Sequence, residues 1–156
     1  MKLTNVIVAV LTALALGGCY WTPQDAEPGG ITISVSLPRG VLPSSYEGML
    51  LRASLYDAAG VSGDILADYE PAPVLGSPIA IDGYDYFEVP LQPAPSGSFV
   101  IPDVLPGRKY RLYLQWGSIY GGLPFSQESH GLSSEFEVVP GGEVAVAVDL
   151  YYYYVC

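Results

Sequence analysis

Hydrophobic and polar residues alternate along this chain in short runs, and glycine and proline separate the runs. Ile31, Ile33, Val35 and Leu37 alternate with Thr32, Ser34 and Ser36, the period of two that marks a half-buried strand, and Pro38-Arg39-Gly40 ends it. The run from Met49 to Tyr56 sets Met49, Leu51, Ala53 and Leu55 against Arg52 and Ser54. Tyr86 to Leu91 offers Phe87, Val89 and Leu91 as one face, and Ser98 to Val104 follows. Lys109 to Trp116 places Tyr110, Leu112, Leu114 and Trp116 on a core face and Lys109, Arg111, Tyr113 and Gln115 opposite. Ser134 to Val139 presents Phe136 and Val138, and Glu143 to Leu150 alternates Val144, Val146, Val148 and Leu150 with Glu143, Ala145, Ala147 and Asp149. No helical period interrupts the series. The pattern predicts an all-β domain of about seven strands, a single Greek-key β-sandwich, with long loops at 57–81 and 117–133.

The N-terminus has another texture. Lys2 precedes an apolar run from Val6 to Leu16, and Leu16-Gly17-Gly18-Cys19 closes it with small residues. A positive start, a short apolar stretch and a small-residue cleavage site are the layout of a secretory signal peptide. The run is too short for a transmembrane span, which needs about 20 apolar residues. Residues 19–30 then contain Pro23, Pro28, Gly29 and Gly30, the composition of a tether. The chain thus divides into a signal peptide at 1–18, a cysteine and tether at 19–30, and a β-sandwich domain at 31–156.

Leu16-Gly17-Gly18-Cys19 resembles the lipobox of bacterial lipoproteins. The resemblance implies cleavage before Cys19, a covalent diacylglycerol on its sulfur and, in many lineages, an acyl chain on its nitrogen. Two or three acyl chains hold a protein to a membrane where one gives only marginal binding. Tyr20, rather than an aspartate, follows the cysteine, and the sorting rule of that family then implies the outer membrane, with the periplasmic or surface face undetermined.

Phe99 to Leu112, with Pro106-Gly107 between two strands and Tyr110 on the second, resembles a pattern in prealbumin-like sandwiches such as the carboxypeptidase-regulatory-like and Cna-B-like domains. Phe136 to Leu150, turning at Pro140-Gly141-Gly142, resembles their closing hairpin. The resemblance implies a prealbumin-like sandwich; another immunoglobulin-like sandwich is the competing fold. The lysine–asparagine isopeptide bond of many Cna-B-like domains is impossible here, because Asn5 is the one asparagine and leaves with the signal peptide.

Composition removes several function classes. The net charge of −10 argues against nucleic acid, whose phosphates need clustered Lys and Arg. One histidine and two cysteines are too few for a zinc cage. His130 lies in the polar stretch Gln127 to Gly131 and reads as an exposed loop residue, and no Gly-x-Ser-x-Gly nucleophile elbow occurs. The chain reads as non-catalytic, with no cofactor beyond the lipid on Cys19. Asp64, Asp68, Asp82 and Asp85 in one long loop are weak calcium candidates beside the simpler reading of a solvated acidic loop. Arg108-Lys109-Tyr110-Arg111 is the sole basic cluster and is expected to pair with acidic loops of the same chain.

Thirteen tyrosines are the oddest feature, and Tyr151-Tyr152-Tyr153-Tyr154 nearly closes the chain. Strand parity sends Tyr152 and Tyr154 toward the core and Tyr151 and Tyr153 outward. Tyrosine suits recognition surfaces, where the ring supplies contact area and the hydroxyl stays wet; it also simply favours strands. The binding candidates are Tyr113, Tyr120, Tyr151 and Tyr153. The expectation is a membrane-anchored envelope module that serves binding or structure, through protein–protein interaction or envelope assembly, or alternatively one that binds a carbohydrate through exposed tyrosines. Cys156 is left either as an inert terminal thiol or as a link between two chains.

Overall fold

The computed structural model describes residues 26–38, 40, 49–90, 98–119 and 126–153. The expected signal peptide at 1–18, Cys19, Tyr120, Tyr154 and Cys156 lie outside the described residues. The alternating runs become strands β1 (Gly29–Ser36), β2 (Met49–Asp57), β3 (Phe87–Pro90), β4 (Ser98–Val104), β5 (Lys109–Ser118), β6 (Ser126–Leu132), β7 (Phe136–Glu137), β8 (Glu143–Asp149) and β9 (Tyr151–Tyr152). One 3-10 turn, Ala58–Gly60, follows β2, with the Asp57 carboxylate accepting from the Ala59 N–H at 3.0 Å.

The strands form two open sheets. The smaller has the order β4-β1-β8, with β1 antiparallel to β4 and parallel to β8. The larger has the order β3-β2-β5-β6-β9, and the short β7 pairs with the first residues of β5. Between them lies one core. Ile31, Ile33, Ile101, Val146 and Val148 of the small sheet meet Leu51, Leu55, Leu112, Leu114 and Trp116 of the large one, all buried. The arrangement is all-β and sandwich-like, and the inward positions of β1, β2, β5 and β8 are those the alternation assigned.

Three differences from the sequence reading have physical causes. The described residues hold nine strands where about seven were expected, because Tyr151–Tyr152 separates as β9 and Ser126–Leu132 forms β6 where a loop was expected. That segment has no apolar alternation; it is a strand because its backbone pairs with β5, from Tyr113↔Leu132 to Ser118↔Ser126. Second, Gly29 and Gly30, read as the end of the tether, open β1. A Cβ on Gly29 would stand 2.4 Å from the Val139 carbonyl oxygen, so the close approach of the chain after β7 requires glycine. Third, the last run does not continue as one strand. The Leu150 N–H still donates to the Ser36 carbonyl of the small sheet at 2.8 Å, but Tyr151 and Tyr152 pair with His130 and Ser129 of the large one. The crossing passes over Gly131, where a Cβ would meet the Asp149 carbonyl oxygen at 2.4 Å.

Candidate functional site

The outer face of the large sheet is where the tyrosines gather. Cross-strand pairs share a face, so Arg52↔Gln115, Ser54↔Tyr113 and Tyr56↔Arg111 line it from β2 and β5, and β6 adds His130 and Leu132. A solvated face was expected. Instead, the segment from 61 to 75 lies across it as a strap: Ile65 is buried against Tyr56 and Tyr113, and Val61, Leu75, Leu132 and Tyr151 pack around them. This is a second, smaller apolar layer.

Polar contacts fasten the strap. Ser62 and Val74 exchange backbone hydrogen bonds at 2.9 Å in both directions, and just beyond it the Ile79 N–H donates to Leu55 at 2.7 Å. Arg111 donates to the Gly63 carbonyl at 3.1 Å, to the Ser133 carbonyl at 2.9 Å and to the Asp64 carboxylate at 2.5 Å. Arg108 and Lys109 pair with Asp57 and Glu135 at 3.5 and 3.6 Å, so the basic cluster does pair with acids of its own chain.

Tyr113, a binding candidate, must be corrected. Parity put it on the correct face, but the strap buries it to 4% exposure, so it offers no surface to a partner. Burial pushes its hydroxyl pKa up to about 12, against the pull of Gln127, which donates to that oxygen at 3.4 Å. His130 also departs from expectation: it is on a strand and fully buried. Its Nδ1 lies 3.3 Å from the Tyr113 hydroxyl, and the Tyr153 ring meets its ring edge-on with centroids 4.8 Å apart. Its Nε2 has no hydrogen-bond partner among the described residues. Burial holds its pKa below 6.5; the charge and backbone carbonyl of Glu70 oppose that shift, though the carbonyl does not form a hydrogen bond with the ring.

The C-terminal tyrosines meet the strap in one corner. Tyr151 is half-buried against the second layer, and Tyr153 is half-buried on His130. Tyr152, assigned by parity to the core, is instead stacked on Tyr69, with ring planes 18° apart and centroids 6.5 Å apart. The change of sheet at Leu150 takes it out of the main core. Sequence reasoning passed over Tyr69. It is 62% exposed with φ at 68°, a left-handed conformation that bulky residues rarely hold. Its N–H donates to the Tyr152 carbonyl at 2.7 Å, and Asp68 accepts from the Tyr152 N–H at 2.9 Å. The Leu66 N–H donates to the Glu70 carboxylate at 2.6 Å across this turn, but the contacts of Asp68 and Tyr69 run to β9, far away in sequence.

Beside this corner lies a cavity of about 480 Å³ walled by Ser36, Leu37, Pro38, Ala67, Asp68, Asp149, Leu150 and Tyr151. The calcium candidates are not brought together. Asp64 is engaged by Arg111 and Asp68 by the Tyr152 N–H. Asp82 and Gly83, with φ at 53° and 82°, form the tight turn closed by reciprocal Ile81–Tyr84 hydrogen bonds at 3.0 Å. Asp85 is exposed just beyond it. Among the described residues no three His, Cys, Asp or Glu side chains stand close enough to share a metal. No helix among them is long and apolar enough to cross a membrane.

No family model, curated protein or solved structure matches the chain.

Proposed function

We propose that this chain is a non-catalytic binding module of the bacterial envelope, tethered to the outer membrane by the lipid on Cys19, and that it engages another envelope protein through the tyrosine corner. The observation that carries the binding role is Tyr69. A large aromatic ring held exposed in a strained backbone conformation, and fixed there by its own N–H bond to the Tyr152 carbonyl and by the neighbouring Asp68 carboxylate on the Tyr152 N–H, is pre-organised for contact at little further entropic cost. The finer fold reading, a Greek-key sandwich of the prealbumin or immunoglobulin kind, is supported by Tyr110, whose hydroxyl donates back to the Leu105 carbonyl. That contact resembles the tyrosine corner of Greek-key domains.

Carbohydrate is the second reading. The nearly parallel Tyr69 and Tyr152 rings, beside a cavity edged by the Asp68 and Asp149 carboxylates, favour it. Two experiments test these readings. Labelling with a palmitate analogue should mark the wild-type chain and not Cys19→Ser; an unlabelled wild type removes the anchor. A photo-crosslinking side chain at Tyr69 in intact cells should give a discrete protein adduct. A glycan adduct in its place selects the second reading, and adducts no different from those at an arbitrary exposed position overturn both.

A further inference from the structure

The edges of the two sheets are not equivalent. On β4, Pro102 has no N–H and Asp103 sits at φ 60°, which breaks the regular edge. In the large sheet, the outer strands β3 and β9 are four and two residues long. The remaining edge, β8, is seven residues of regular strand without proline or lysine.

Two hydrogen bonds fix which backbone groups of β8 are committed. The Gly30 N–H donates to the Gly142 carbonyl at 2.9 Å, and the Leu150 N–H donates to the Ser36 carbonyl at 2.8 Å. With the parallel register Gly30↔Glu143 to Ser36↔Asp149, these ends mean that Val144, Val146 and Val148 also donate toward β1. The N–H groups of Glu143, Ala145 and Ala147 therefore point away from the sheet, and all three residues are exposed. Asp149 terminates the edge, since its carbonyl is turned toward Gly131 of the other sheet.

We propose that the β8 edge binds an extended segment of a partner protein by strand addition, and that this segment carries basic residues at both ends. Charge selects the partner. Glu143, whose carboxylate accepts the Thr32 hydroxyl, stands at one end of the exposed face and Asp149 at the other. The described basic residues Arg52, Arg108, Lys109 and Arg111 belong to β2, to β5 or to the turn just before β5. The small sheet thus offers acid and no base. A second copy of this chain fits poorly: antiparallel pairing of the whole edge with itself puts Glu143 opposite Asp149 twice. Main-chain hydrogen bonds would supply affinity, and the two carboxylates would supply selectivity. The surface meets the tyrosine corner only at Asp149, which also walls the cavity there, and strand addition along β8 does not depend on that corner.

Amide hydrogen exchange of the full chain, read by NMR, tests this directly. The probe is a synthetic heptapeptide of alternating valine and threonine with lysine at both ends; a second version carries glutamate there. The amides of Glu143, Ala145 and Ala147 should exchange freely without peptide and slow by about tenfold or more with the lysine peptide only. Ala147→Pro removes one outward donor and no bond to β1, and should abolish the effect while leaving Val144 and Val146 protected. If that variant unfolds, the double variant E143K/D149K decides, and its preference should reverse to the glutamate peptide. Protection of these three amides in the free protein, equal response to both peptides or an unreversed preference would each overturn the proposal.

Discussion

The two faces of the large sheet are built from the same strands, yet they are closed in different ways. One face meets the small sheet through aliphatic residues, Trp116 and Tyr110, whose hydroxyl is matched by the Leu105 carbonyl. The other is closed by a single strap, and its layer consists of Tyr56, Tyr113, Ile65 and a buried histidine. A strap has too little apolar surface to close a face alone. Tyrosines make up the difference, because each ring adds buried area while its hydroxyl joins a hydrogen-bond network. The comparison teaches that the first layer should resist local opening and the second should open at lower cost.

The largest expected effect lies in the first layer. Leu114→Ala empties a fully buried position and should lower global stability by about 2–5 kcal/mol, read as a shift in denaturation midpoint. An equal loss from Ile65→Ala would erase the distinction between the layers. Gly131→Ala is next, at about 1–3 kcal/mol, because the new methyl collides with the Asp149 backbone where the chain changes sheets. Its loss should appear together in both sheets.

Removing the clamp sharpens the contrast. Arg111→Ala deletes three hydrogen bonds that tie residues 63, 64 and 133 to β5. It should make the strap the first site of limited proteolysis, at a global loss of about 1–2 kcal/mol, reduced because the Asp64 end is solvated. Tyr113→Phe should cost least, about 1 kcal/mol, by leaving His130 Nδ1 and Gln127 without their shared partner.

The same contrast explains what could be read from the chain. The first layer was legible because Ile31 to Leu37, Met49 to Leu55, Tyr110 to Trp116 and Val144 to Leu150 alternate cleanly, and a period of two reports one buried face. The second layer was not, because its strands are buried on both faces while their sequence reports one. Tyr113 and Arg111 look solvated by parity, and only long-range contacts such as Arg111 with Asp64 reverse that. β6 shows the limit most plainly: Ser129, His130 and Gly131 are all buried without one aliphatic side chain among them. Within the tyrosine corner, Tyr151 and Tyr153 could be named in advance. Tyr69 could not, since the hydrogen bond that holds it runs to Tyr152 of β9, far away in sequence.

His130 also gives the second layer a pH signature. Its folded pKa lies below the unfolded value of 6.5, so between those two values the unfolded chain binds more protons. Stability should therefore fall as pH drops through about 6.5, continue to fall to the folded pKa, and lose no more from this group below it. His130→Phe should flatten that slope.

His130 is the only histidine in the chain, so its ring resonances need no assignment. Titrating them by NMR in the folded protein reports most directly on whether the strap seals the outer face. The sealed layer predicts a midpoint below 6.5. A midpoint at or above 6.5, as a solvated ring would give, contradicts the account.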